Sequence, residues 1–155
     1  MIELISKSLI LLLIFPWIML FYFKDIRWLY TIAILGLVQI LQVGIKYFTK
    51  PFKLKWLKRP AGATNCNLFS TNGKVDGQSG IPSGHVSHVT AFFVTMYLLF
   101  PKYRKYNYIG IIWIALMMYS RIAKKCHTLL QTIAGLCLGI LVPIIFLQSI
   151  NVNIT

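Results

Sequence analysis

Two short stretches hold the residue types that could do chemistry. The first is Pro82-Ser83-Gly84-His85, which closes a glycine-rich polar segment and opens an apolar run from Val86 to Phe100. A helix starting there aims backbone N–H groups, its positive dipole end and an imidazole at one spot, an arrangement suited to phosphate. The second is Ser120-Arg121, followed by His127. Arginine supplies a planar fork that matches phosphate oxygens. Arg59 offers a second one. Two histidines beside them provide a nucleophile and an acid for phosphoryl transfer. Glu3, Asp25 and Asp76 are the only acids. Carboxylate pairs for magnesium are therefore missing, and the chemistry expected is metal-free with no cofactor.

The elements that must position these groups are membrane helices. Of 155 residues, 57% are hydrophobic and 12% charged, against roughly 25% charged in soluble domains. The length allows about five spans of some 20 residues each. We read them as Leu4 to Phe23, Leu29 to Phe48, His85 to Phe100, Tyr108 to Ile122 and Thr128 to Ser149, the first retained rather than cleaved. The fold class expected is all-α, a polytopic membrane helix bundle forming one domain over 1–155. With five spans, the loop before span three and the turn before span five emerge on one side, so Arg59, His85, Arg121 and His127 can meet.

Between spans two and three lies a basic segment, Lys53 to Pro60, and then a polar loop from Ala61 to Ile81. A connection of some thirty residues exceeds what linkage needs, and long ordered loops tend to be functional. Gln39 and Gln42 are expected to face other helices, and Gly135 and Gly139 to form a close-packing face. Trp17, Tyr22, Trp28 and Tyr30 sit where an aromatic interfacial belt would. The net charge of +13 is read as cations facing anionic headgroups rather than nucleic acid. Cys66, Cys126 and Cys137 show no paired spacing, so neither a disulfide framework nor a zinc site is expected. Asp76 is expected to pair with a loop lysine at most, and His88 reads as a polar interior residue.

Taken together, Arg59-Pro60, Pro82-Ser83-Gly84-His85 and Ser120-Arg121 followed by His127 resemble the three-part signature of the type 2 phosphatidic acid phosphatase (PAP2) superfamily, which also holds soluble haloperoxidases. The resemblance covers the motif region 53–131. It implies His127 as the nucleophile that forms a phosphohistidine and His85 as the acid for the leaving oxygen. Arg59, Arg121, Ser83 and Gly84 would hold the phosphate oxygens. A motif lysine belongs seven residues before Arg59, where Phe52 stands; Lys53 is the nearest candidate and Lys46 the alternative. Most members orient the nucleophile with an aspartate four residues on, where this chain has Gln131. The string from His127 to Gln131 is similar to the dolichyl diphosphatase branch. That implies a polyprenyl diphosphate such as dolichyl diphosphate as substrate, and the endoplasmic reticulum as location. Phosphatidic acid or another lipid monophosphate is the alternative substrate, and a non-catalytic lipid-binding module the alternative class.

Sidedness stays open at this point. Eleven of the sixteen cations lie on the motif side, which the positive-inside tendency would put in the cytosol. A lumenal site would suit a dolichyl diphosphatase. Asn153-Ile154-Thr155 is a formal glycosylation acceptor.

Overall fold

The structure, a computed structural model, describes residues 1–152; the Asn153 acceptor triplet lies outside them. Six helices follow in order: α1 (Ile2–Lys7), α2 (Leu9–Phe23), α3 (Ile26–Thr49), α4 (Gly84–Leu99), α5 (Asn107–Ala123) and α6 (Leu129–Ser149). Single 3-10 turns lie at Lys55–Leu57 and Pro101–Tyr106. No strand occurs among the described residues, and the chain is an all-α membrane protein. The first expected span is two helices, broken at Ser8, whose hydroxyl donates to the Ile5 carbonyl.

Three segments are long and apolar enough to cross a membrane: Ile2–Phe23, Ile26–Thr49 and Leu129–Ser149. The helices α4 and α5, at 16 and 17 residues, reach about 24–26 Å. That is shorter than the hydrocarbon core of about 30 Å. α4 does not meet lipid alone: it packs against α2, α3, α5 and α6, and ten of its residues are buried. It is the axis of the bundle.

Local sequence explains the joints. Lys24 closes α2 in the left-handed region, and the Asp25 carboxylate accepts from the Arg27 backbone N–H at 2.9 Å to cap α3. Thr128 and Gln131 form a reciprocal capping box that starts α6. The closest helix pair, α4 with α6, depends on the glycines expected to pack there. A Cβ on Gly135 would lie 2.6 Å from the Ser83 carbonyl oxygen, and one on Gly139 2.6 Å from that of Ser87.

Two expectations need correction. Trp28 is not part of an interfacial belt: it is 4% exposed and sits between Phe15, which it meets edge to face, and Phe100, because the α2–α3 turn folds it back into the core. Tyr22 is exposed as expected. The cysteines are also paired: Cys66 and Cys126 form a disulfide across a sequence separation of 60, with Cα atoms 5.5 Å apart. Spacing rules detect local frameworks. This bridge is made by tertiary proximity of a loop and a turn. Cys137 is free and exposed.

The loop from Pro51 to Pro82 is ordered over the motif end of the bundle. Bridges pair Lys58 with Ser79 and Thr64 with Lys74. The Arg59 N–H donates to the Gln78 carbonyl and the Gly80 N–H to that of Leu57, each at 2.8 Å. Ala63, Cys66, Val75 and Cys126 make a small core that seats the loop on the α5–α6 turn. Asp76 lies 3.7 Å from Lys74, an exposed pair of little energetic weight.

Candidate active site

A cavity of about 610 Å³ opens at the motif end. Arg59, Gly84, His85 and His127 line it, joined by Lys46, Gln42, Gln39 and His88. Its other wall is apolar and comes from α2 and α3, with Leu9, Leu13, Trp17, Ile32 and Leu35. No acid lines it. Four of the sequence-predicted residues thus share one space.

His127 sits in the turn between α5 and α6 and is 2% exposed. Its Nδ1 lies 3.3 Å from Gln131 Oε1 and its Nε2 3.3 Å from the Arg59 guanidinium. Which atom of the Gln131 amide faces the ring is fixed by the other end. The amide nitrogen donates to the carbonyls of Trp56 at 3.1 Å and Lys58 at 2.8 Å, so the oxygen must face His127. An amide oxygen only accepts. Nδ1 therefore carries the proton, and Nε2 presents its lone pair beside Arg59. Burial first, and then the cations Arg59, Arg121 and Lys46, hold this imidazole well below its ordinary value. It is neutral at neutral pH, the form a nucleophile needs.

Gln131 has a structural use for its amide. Its side chain is wholly buried, binds the loop strand at Trp56 and Lys58, and also accepts from the Thr128 N–H at 3.2 Å. Gly80 makes room for it, since a Cβ there would lie 2.5 Å from Oε1. The glutamine ties the His127 turn to the loop that carries Arg59.

Arg59 is reached from that loop, and its guanidinium donates to the Cys126 carbonyl at 3.0 Å. Burial lowers it from its usual value, but a guanidinium stays protonated at neutral pH. Arg121, at the end of α5, lies behind the cavity and is fully buried. It donates to the Ser6 hydroxyl of α1 and, at 2.6 Å, to the Cys66 carbonyl. The Ser6 contact has no signal in the sequence beyond a hydroxyl in a greasy helix. Three buried polar atoms at this end have no hydrogen-bond partner among the described residues: Ser83 Oγ, His85 Nε2 and Arg121 Nε. Such atoms are costly unless something polar meets them. All three belong to residues proposed to bind or protonate phosphate.

Lys53 is exposed and does not line the cavity. Lys46 does, because α3 runs on to Thr49 and helical side chains lean toward their N-terminus. Its Nζ donates to Gln42 Oε1 at 2.7 Å. Gln42 in turn abuts Gly84, where any Cβ would collide with the amide. Through Gln42 the ammonium thereby reaches the start of α4.

Fold and site together define a membrane-embedded helical protein with a cationic, acid-free cavity that opens onto an apolar wall. The model of the PAP2 superfamily matches residues 27–154, and the chain belongs to that superfamily. Membership points to a phosphatase. No curated protein and no solved structure matches the chain.

Proposed function

We propose that the chain hydrolyses a phosphate from a membrane-anchored lipid phosphate, with a polyprenyl diphosphate such as dolichyl diphosphate as first substrate. The observation that carries this reading is the two-sided cavity, in which Arg59, His85, His127 and Lys46 face one end and Leu13, Trp17, Ile32 and Leu35 the other. An amphiphile with an anionic head fits that division. The His127 Nε2 lone pair attacks phosphorus, a P–N bond forms, and the P–O bond to the leaving group breaks. His85 gives its proton to the departing oxygen. Water then attacks the phosphohistidine, passes a proton back to His85 and frees phosphate with the imidazole restored. Arg59, Arg121, Lys46 and the Ser83-Gly84 backbone stabilise the charge that develops on the phosphoryl oxygens. Lys46 takes the place expected of Lys53. No step calls for a metal ion.

The Cys66–Cys126 bridge supports a location in which the motif face meets an oxidising compartment, such as the lumen of the endoplasmic reticulum. This goes against the cation count. Lys46, Arg59 and Arg121 are drawn into the site, however, which weakens the count as a guide to topology.

The test is phosphate release in detergent, with EDTA, from polyprenyl diphosphate and from phosphatidic acid, beside His127→Ala. Release from the diphosphate that is lost in the variant is expected. Preference for phosphatidic acid would transfer the assignment to lipid monophosphates. Folded protein that releases phosphate from neither would refute the enzyme and leave a lipid-binding module.

A further inference from the structure

The cavity continues past the groups used above. Three residues into α4 from His85, about 4.5 Å deeper, His88 lines it and is 5% exposed. Gln39 lines it from α3. Neither has a part in the chemistry at His127. The His88 Nδ1 lies 2.7 Å from the Gly84 carbonyl oxygen, which can only accept, so Nδ1 bears a proton and Nε2 is the ring's remaining polar atom. On α3 a relay runs inward: Lys46 donates to Gln42 at 2.7 Å, and the Gln42 amide nitrogen donates to Gln39 Oε1 at 2.6 Å. Both glutamine oxygens are occupied. The Gln39 amide nitrogen keeps its two N–H groups.

Along the cavity the wall therefore changes from cationic at Arg59 and His127, through a hydrogen-bonding band at His88 and Gln39, to apolar at Ile32, Leu35, Leu13 and Trp17. A polyprenyl monophosphate would lay hydrocarbon against the middle band and leave its polar groups unmatched, which is unfavourable. In a diphosphate, a single bridging oxygen separates the two phosphates, a step shorter than one helical turn of 5.4 Å. We propose that His88 and Gln39 form a second phosphate subsite, which binds the lipid-linked phosphate that departs when the outer one is transferred to His127. The inference deepens the proposed function and rests on it. Beside a bound diphosphate, whose negative charge favours the imidazolium, His88 takes up a proton at Nε2 and then donates from both ring nitrogens, to Gly84 and to the leaving phosphate, while Gln39 adds neutral donors.

Purified full-length protein in detergent would be compared with His88→Ala, His88→Gln and Gln39→Ala. The substrates are a polyprenyl diphosphate and the monophosphate of the same chain length. Loss of a charge-assisted hydrogen bond to the leaving group predicts a fall of about tenfold or more in kcat/KM for the diphosphate. The monophosphate should change by less than about threefold, and His88→Gln should recover part of the loss. Parallel loss on both substrates, or no loss on either, overturns the subsite. A second arm needs no turnover: the thermal shift given by inorganic pyrophosphate, against that of inorganic phosphate, on wild type and His88→Ala. A pyrophosphate shift that shrinks selectively in the variant upholds the subsite. Equal shifts overturn it. If the wild type hydrolyses neither lipid, the proposed function fails while this arm still decides the subsite.

Discussion

Gln131→Glu is the most informative single change, because it replaces one NH2 by oxygen in an isosteric side chain. A carboxylate beside the imidazole would be judged an improvement for His127. The structure argues the reverse for the fold. In the wild type the amide nitrogen satisfies two carbonyls, at Trp56 and Lys58, within a wholly buried setting. A carboxylate has nothing to donate to either, and a protonated carboxyl can serve only one. At least one buried carbonyl loses its partner, which costs about 1–3 kcal/mol. At this chain length that corresponds to about 2–4 °C in the melting midpoint per kcal/mol. The loop carrying Arg59 loosens with it, so KM for the phosphate substrate should rise as well. Thermal unfolding in detergent and steady-state phosphate release would be read together. A variant as stable as the wild type, with unchanged or better kcat/KM, would refute the claim that this amide holds the loop.

Other expectations are independent of that one. Reduction of the disulfide, or Cys66→Ser, should lower the melting midpoint. The 60-residue separation overstates the closed loop, since α4 and α5 stay inserted in an unfolded membrane ensemble; about 26 residues outside them remain, worth about 3.5 kcal/mol. No shift on reduction would deny the bridge. The acid limb of kcat/KM should fall below the ordinary imidazole value of 6.5, because His127 reacts when neutral and its lowered value keeps it neutral further into acid. Stability follows the same sign: between the lowered folded value and 6.5 the unfolded chain binds the extra proton, so stability decreases as pH falls through that window. An acid limb at or above 6.5 would contradict the burial of His127. Gly139→Ala should destabilise by about 1–3 kcal/mol, since its Cβ meets backbone of α4 and not a yielding side-chain tip; an unchanged melt would show that α4 and α6 can part.

Four of the five expected segments were legible in hydropathy to within a few residues, because lipid-facing and core-facing positions are both apolar and the connections are polar; the break at Ser8 in the first was not. Residue type and order pick out Arg59, His85 and His127, and the structure brings all three to one cavity. What escaped was set by packing between distant segments. Motif register points to Lys53, but the length of α3 and the lean of its side chains bring Lys46 to the cavity. Position points Trp28 to the interface, but Phe15 and Phe100 enclose it. Cys66 and Cys126 carry no local spacing, and only the seated loop brings them together. Gln131 reads as a weakened aspartate until its two carbonyl partners are seen.

The hydrogen bond from Arg121 to Ser6 ties the site to the order of synthesis. A chain threads into the membrane from its N-terminus, so α1 is in place long before its guanidinium partner, 115 residues later, has been translated. His127 and its support at Gln131 follow later still. The cavity's cationic end is complete only once α5 lies against the first helix. A change in α1 therefore acts on an arginine 115 residues further along the chain.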